Sequence, residues 1–455
     1  MMKKFFSLLI AAVAAMSLTS CLTDTDDEVT YYDDTAITAF SLGTINRYLH
    51  TTASDGSDSI YVKKITGSNY TCYIDQVNSL IYNPDSLPKG CDPAHVICTI
   101  TTKNGGVVTL YKKNMWGQDS LAYYSSTDSI DFSNPVTMMV YSNSGKACKE
   151  YKVTLNVHQQ TGDEFAWGYS TANGADMLGA RRFAQLGETM WLFCQGNAQT
   201  VGYRLSDGQW QQATTINNAD AYKSMTTLNG HLYTLVDGNV CSTTNGTDWS
   251  TLATPAGIKQ LLGCSGARLY ALTDNGIAYT TDGQTWTDDV LDSSNDCLPT
   301  TDLNLVALAS KVNDNTNNLT LIGNRNGKTV VWTKVEENGK GADNAWTLLP
   351  DDSYNHRTLP ALSGLQVVAY DDALLAMGGD SATFYTSQDH GLTWAATSIY
   401  ALPIDTTTTA TAAASAALFC NTENTLFYSK EQQTNVLTGR LARLGWKTEQ
   451  TAFTK

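Results

Sequence analysis

Short stretches in which apolar and polar residues alternate run through most of this chain, and the three-to-four-residue spacing of long amphipathic helices is hard to find. In the first third, Ser59-Ile60-Tyr61-Val62, Val96-Ile97-Cys98-Thr99-Ile100, Val107-Val108-Thr109-Leu110-Tyr111, Val136-Thr137-Met138-Met139-Val140-Tyr141 and Lys149-Glu150-Tyr151-Lys152-Val153-Thr154-Leu155-Asn156-Val157 share the two-residue period. That period places successive side chains on opposite faces of a strand. Turn chemistry separates the segments, including Lys103-Asn104-Gly105-Gly106 and Ser142-Asn143-Ser144-Gly145. Strands of this length and spacing predict an immunoglobulin-like β-sandwich over residues 31–158.

A polar linker, residues 159–164, leads into a repeat over residues 165–455: an apolar strand, a turn, a second strand ending in Ser or Thr, an Asp/Asn-Gly turn, then Trp. Leu228-Asn229-Gly230-His231-Leu232-Tyr233-Thr234-Leu235 leads to Ser242-Thr243-Thr244-Asn245-Gly246-Thr247-Asp248-Trp249. Gly266-Ala267-Arg268-Leu269-Tyr270-Ala271-Leu272 leads in the same way to Tyr279-Thr280-Thr281-Asp282-Gly283-Gln284-Thr285-Trp286. Further copies end at Trp210 and Trp394, and looser ones at Trp346 and Trp446. About six units, each near the length of a four-stranded blade, predict a β-propeller of about six blades. The fold class expected is therefore all-β, an Ig-like β-sandwich followed by a propeller.

Ser387-Gln388-Asp389-His390-Gly391-Leu392-Thr393-Trp394 resembles the Asp-box of propeller blades at each defining position: Ser387, Asp389, Gly391, Thr393 and Trp394. Asp282, Gly283 and Trp286 form a shortened version, while Gly246 and Trp249 close a degenerate one with Thr244 at the expected Asp position. An Asp carboxylate can accept backbone N–H groups across a hairpin turn, Gly tolerates positive φ, and Trp seals the hairpin. Such residues are expected to stabilise blades rather than hold a ligand.

Composition narrows the choice of partner. The 455 residues carry a formal charge of −15, which leaves no excess of Lys and Arg to neutralise phosphates, so nucleic acid is not expected. No Cys/His cluster with zinc spacing, phosphate-binding Gly loop, H-E-x-x-H or nucleophile elbow occurs, and no metal or cofactor is expected. Cys194, Cys241, Cys264 and Cys420 lie in strand-like contexts that suit buried free thiols, whereas Cys72, Cys91, Cys98 and Cys148 could form one or two bridges.

The N-terminus predicts an address. A short basic start at residues 1–4, an apolar run at residues 5–18 and Leu18-Thr19-Ser20-Cys21 resemble a bacterial lipobox, so residues 1–21 read as a lipoprotein signal with Cys21 lipidated. Acyl chains contribute about 0.8 kcal/mol per buried methylene, enough for a stable membrane anchor when two or three are present. The acidic stretch after Cys21 resembles the surface-export signal of Bacteroidetes lipoproteins, and residues 22–30 read as a disordered tether. Outer-membrane display facing the exterior follows as the expected location.

The phrases Asp33-Asp34-Thr35-Ala36-Ile37-Thr38-Ala39-Phe40-Ser41-Leu42-Gly43, Ile81-Tyr82-Asn83-Pro84-Asp85-Ser86-Leu87-Pro88 and Thr127-Asp128-Ser129-Ile130-Asp131-Phe132, with residues 151–160, resemble the N-terminal module of uncharacterised two-domain Bacteroidetes surface lipoproteins. That resemblance implies location and architecture, and no activity. Asp-Ser/Thr followed by a small or aliphatic residue, as at Asp34-Thr35-Ala36 and Asp85-Ser86-Leu87, resembles an O-glycosylation sequon of the same bacteria.

Asp-boxes also occur in sialidases, but the Arg-Ile-Pro motif of those enzymes is absent, and Arg181-Arg182-Phe183 is only a superficial substitute. The adjacent acids Asp351-Asp352 and Asp371-Asp372 suit turns better than a catalytic pair. The sequence thus favours a non-catalytic propeller that binds a carbohydrate or a surface protein. A glycan-active hydrolase or lyase on a sialidase-like propeller is the alternative, and a structural part of a surface assembly is a third reading.

Overall fold

A computed structural model describes residues 30–113, 116–171, 179–338, 344–379, 381–403 and 415–446. Cys21, nearly all of the acidic tether and most of the Thr/Ala-rich stretch at 405–417 lie outside the described residues. Among those residues the regular structure is strand, with only short 3-10 turns, and contacts divide the chain into two units after Gln159.

The first unit is organised around one six-stranded sheet, with strands in the spatial order Tyr73–Asp75, Leu80–Tyr82, Cys148–Thr154, Val136–Tyr141, Val107–Lys113 and Asp119–Tyr123. Ile37–Leu42 pairs with Cys98–Thr102, and Thr44–Thr52 with Asp58–Thr66, as separate two-stranded ribbons. Inward-facing Ile37, Ile45, Ile81, Met138, Val140 and Tyr151 are fully buried in a shared core. A buried Asn83 ties the fold's ends: its amide donates to the Asp85 and Asn156 carbonyls, both at 2.9 Å, and its side-chain oxygen accepts from the Asn156 N–H. Replacing so many backbone partners with an apolar side chain would leave them unpaired. Ser86, in one of the sequon-like triplets, is only 5% exposed and so closed to a modifying enzyme in the folded protein.

Among its described residues the second unit contains six four-stranded antiparallel sheets. Their first strands are Arg181–Leu186, Thr226–Leu228, Ile258–Cys264, Thr301–Ala309, Gln366–Tyr370 and Ala416–Cys420. Each of these touches the next, and the sixth touches the first, so they close a ring. Closure uses the start of the unit: Phe165–Thr171 is the outermost strand of the sixth sheet, paired antiparallel with Asn435–Leu441. Joining the two ends of the unit in one sheet ties its first strand to its last, so the chain termini of the ring cannot separate without breaking that ladder.

Antiparallel order fixes the two ends of the ring. Within each sheet the first–second and third–fourth turns share one end, and the connections between sheets lie at the other. Large side chains fill the seams between sheets: Trp191, Trp332, Trp346, Tyr203, Tyr270, Phe193 and Phe384 are fully buried. All nine cysteines of the described residues are free, so the bridges allowed for Cys72, Cys91, Cys98 and Cys148 are not formed. Burial pushes the thiols of Cys72 and Cys98 up to about 12, which suits small apolar fillers rather than nucleophiles.

Candidate functional site

The first strands of the six sheets surround a channel with a cavity of ≈ 960 Å³. Its wall mixes neutral polar residues such as Thr226, Gln260, Asn304 and Gln366 with apolar ones such as Leu305 and Val367 and the cations Arg181, Arg182 and Lys223, and the only carboxylate lining it among the described residues is Asp302. Aromatic rings contribute Phe183, Tyr222 and Phe419, with no Trp. The tryptophans that end two of the repeats are core, Trp210 and Trp394 being 2% and 7% exposed.

Several wall residues are committed to holding the ring. Asn304 reaches from the fourth sheet to the fifth, donating to the Leu365 carbonyl at 2.9 Å and accepting from the Val367 N–H at 3.2 Å. Behind the wall, Ser224 of the turn that precedes the second sheet accepts the Leu261 N–H of the third. Arg181 is buried and donates to Ser429 Oγ at 2.8 Å and the Gln433 carbonyl at 2.9 Å, joining the first sheet to the sixth.

Arg182, the next residue, is placed differently. Strand alternation turns it away from Arg181, and it reaches over the second sheet to donate to the Lys223 carbonyl at 2.6 Å and the Leu262 carbonyl at 3.4 Å. No carboxylate is among its partners in the described residues. Burial pulls the guanidinium down to about 10, so it stays charged at neutral pH in surroundings that do not compensate it. Lys223 beside it forms an exposed ion pair with Asp220 at 2.8 Å. Tyr222 also lines this end of the channel, and burial pushes its hydroxyl up to about 12, so it stays protonated at neutral pH.

Asp302 lies near the start of the fourth first-strand, as Arg182 does in the first. The ring order puts these two sheets on opposite sides of the channel, at the same end. Asp302 adopts φ 54° and accepts from Asn324 Nδ2 at 2.9 Å. This rim therefore offers a cation on one side and an acceptor on the other.

The Asp-Gly-Trp turns lie at the opposite end, between third and fourth strands. In the fifth sheet Asp389 Oδ1 accepts from Ser387 Oγ and from the Thr393 N–H, both at 2.8 Å, while Asp389 Oδ2 accepts from Thr393 Oγ1 at 2.5 Å. Trp394 Nε1 donates to the Gly391 carbonyl at 3.0 Å. In the third sheet Asp282 plays the same part, accepting the Gln284 and Thr285 N–H groups, with Thr280 in the serine's place. The second sheet corrects the alignment read from the sequence: Thr244 does not stand for the acid, because Thr243 and Asn245 make these bonds one residue out of register. Gly246 shows what the turn rests on, since at φ 79° an added Cβ would lie 2.1 Å from Trp191 of the preceding sheet.

The remaining acid pairs stay outside the channel wall. Asp371 and Asp372 form a turn at positive φ and pair with Arg443 and Lys311, and Asp351 and Asp352 both face Lys328. Among the described residues no group of three His, Cys, Asp or Glu side chains is gathered as a metal would require.

Comparison with known proteins bears on the fold. Residues 161–449 match the DUF6242 beta propeller domain, and residues 40–155 match the DUF6242 N-terminal domain, described as a domain of unknown function. No curated protein matches. Among solved structures, a streptogramin B lyase is 12% identical with a TM-score of 0.34, covering 62% of this chain and 99% of its own. A luciferin-regenerating enzyme is 9% identical with a TM-score of 0.39, covering 60% of this chain and 95% of its own. A GH74 xyloglucanase from Xanthomonas campestris is 13% identical with a TM-score of 0.34, covering 65% and 49%. Likeness this low says nothing about activity.

Proposed function

We propose that this chain, which belongs to the DUF6242 family, is a non-catalytic binding protein that takes a saccharide in its propeller channel. The observation that carries the reading is a channel of ≈ 960 Å³ whose wall mixes amide and hydroxyl side chains with apolar ones and carries a single lining carboxylate among the described residues. Amide and hydroxyl side chains suit the hydroxyl groups of a sugar, and glycosidic hydrolysis by the usual route needs two carboxyl groups about 5–10 Å apart.

In this reading the six sheets are the six blades, and the Ser387–Trp394, Asp282–Trp286 and Gly246–Trp249 turns are Asp-boxes that stabilise them. The first unit is an immunoglobulin-like domain that lies, along the chain, between the N-terminal anchor and the propeller. Cys21 carries the lipid, and the protein faces outward from the outer membrane. Support for this address comes from the order of basic start, apolar run and cysteine in residues 1–21.

A glycan-array screen of the full-length protein, with mass spectrometry of every glycan retained, tests the reading. Retention of intact glycan is the expected result. Turnover would replace it with the enzyme alternative, and the absence of any retained glycan would turn the search to protein partners.

A further inference from the structure

We infer that Arg182 is the docking point for a ligand carboxylate, so that the channel's saccharide is an acidic one of the uronate type. The inference rests on the channel being a saccharide site and adds the chemistry of what enters it. A guanidinium has five N–H donors in a fixed fork, and the described contacts of Arg182 occupy two of them, both on backbone carbonyls. A half-buried guanidinium on the channel wall with no carboxylate beside it would gain paired, charge-assisted hydrogen bonds from a carboxylate brought by a ligand.

Its neighbours argue for this group specifically. Arg181 is used up in joining the first and sixth sheets, and Lys223 is engaged with Asp220. Arg182 lines the cavity and is held there by the Lys223 and Leu262 carbonyls, so the fork is oriented before a ligand arrives. Across the channel, Asp302 supplies an acceptor for hydroxyl groups. A sugar ring with a carboxylate at one edge and hydroxyls at the other matches both groups.

Isothermal titration of the full-length protein with trimers of galacturonic acid and of glucuronic acid, their methyl esters, and neutral galactose and glucose trimers tests this. At least one acidic trimer is expected to bind more tightly than its ester by roughly tenfold to a hundredfold, the range of a charge-assisted pair. Arg182→Gln should abolish that preference without changing the melting temperature, and Arg182→Lys should keep part of it. Equal affinity for acid and ester, or an acid preference that survives Arg182→Gln, would overturn the inference and leave saccharide binding standing. Failure of every trimer to bind, neutral or acidic, would overturn both.

Discussion

Lys334 is a cation fully withdrawn from water and Arg182 one half-buried in the channel wall, and the protein surrounds them differently. Lys334 is enclosed between the third and fourth sheets, its side chain fully buried, with both Asp289 oxygens at 2.7 Å. Trp346 Nε1 donates to the same carboxylate at 2.8 Å. Glu336, two residues on and fully buried, accepts from Tyr270 at 2.5 Å, Asn338 at 3.0 Å and Asn317 at 3.3 Å. This group is satisfied within the chain and has no opening to a cavity wall, as a structural network requires. Arg182 stands in the channel with carbonyl partners alone. The difference separates a charge that holds sheets together from one kept for something outside the chain.

That contrast predicts where substitution should hurt. Lys334→Met leaves Asp289 buried and unpaired and should destabilise the protein by roughly 3–5 kcal/mol in chemical denaturation, while adding Asp289→Asn should restore a large part of it. A loss below about 1 kcal/mol would break the comparison from its structural side. Arg182→Gln should do the reverse, with melting unchanged and the acidic ligand lost.

The next effect is on pH dependence. Asp389 is pushed up by burial, but the Thr393 and Ser387 hydrogen bonds outweigh this and hold it below the ordinary carboxylate range; the turn's N–H groups and Thr280 do the same for the exposed Asp282. A carboxyl lowered on folding contributes stability above its unfolded value, about 4, and that contribution is lost as pH falls below it. Stability should therefore fall in acid, and Asp389→Asn should flatten that fall. Arg182 titrates far above neutrality, so ligand affinity should stay constant between about pH 6 and 8 and weaken only where a uronate itself protonates. Affinity should also fall with added salt, as a partly exposed ion pair does. The smallest expected change is Asp302→Asn, which keeps a residue tolerant of φ 54° and should weaken saccharide binding a few-fold, read by titration, with melting unaffected.

Much of this architecture is legible in the strand alternation and in the Asp/Asn-Gly turns, because both report local backbone demands. Closure of the sixth sheet by Phe165–Thr171 is not, since the partner strand Asn435–Leu441 lies at the far end of the unit and no periodicity connects them. The Thr243–Asn245 turn misleads for a related reason. It is one residue shorter than Ser387–Asp389–Gly391, so alignment by residue type puts Thr244 where the hydrogen bonds use Asn245. Arg181 and Arg182 are indistinguishable by type and both reach the channel, and only the fold decides that the first is tied to Ser429 and Gln433 of the sixth sheet while the second is held by backbone carbonyls alone. The signal available in the sequence is their adjacency at the start of the first copy of the repeat, where alternation requires that one of them point inward.

A crystal structure of the protein with the uronate trimer that binds most tightly tests the central claim most directly. The account predicts a carboxylate of the trimer within hydrogen-bonding distance of the Arg182 guanidinium, with ring hydroxyls toward Asp302. A trimer seated elsewhere, such as against the exposed Tyr111 and Tyr123 of the first unit, or one lying in the channel with its carboxylates turned from Arg182, would contradict it.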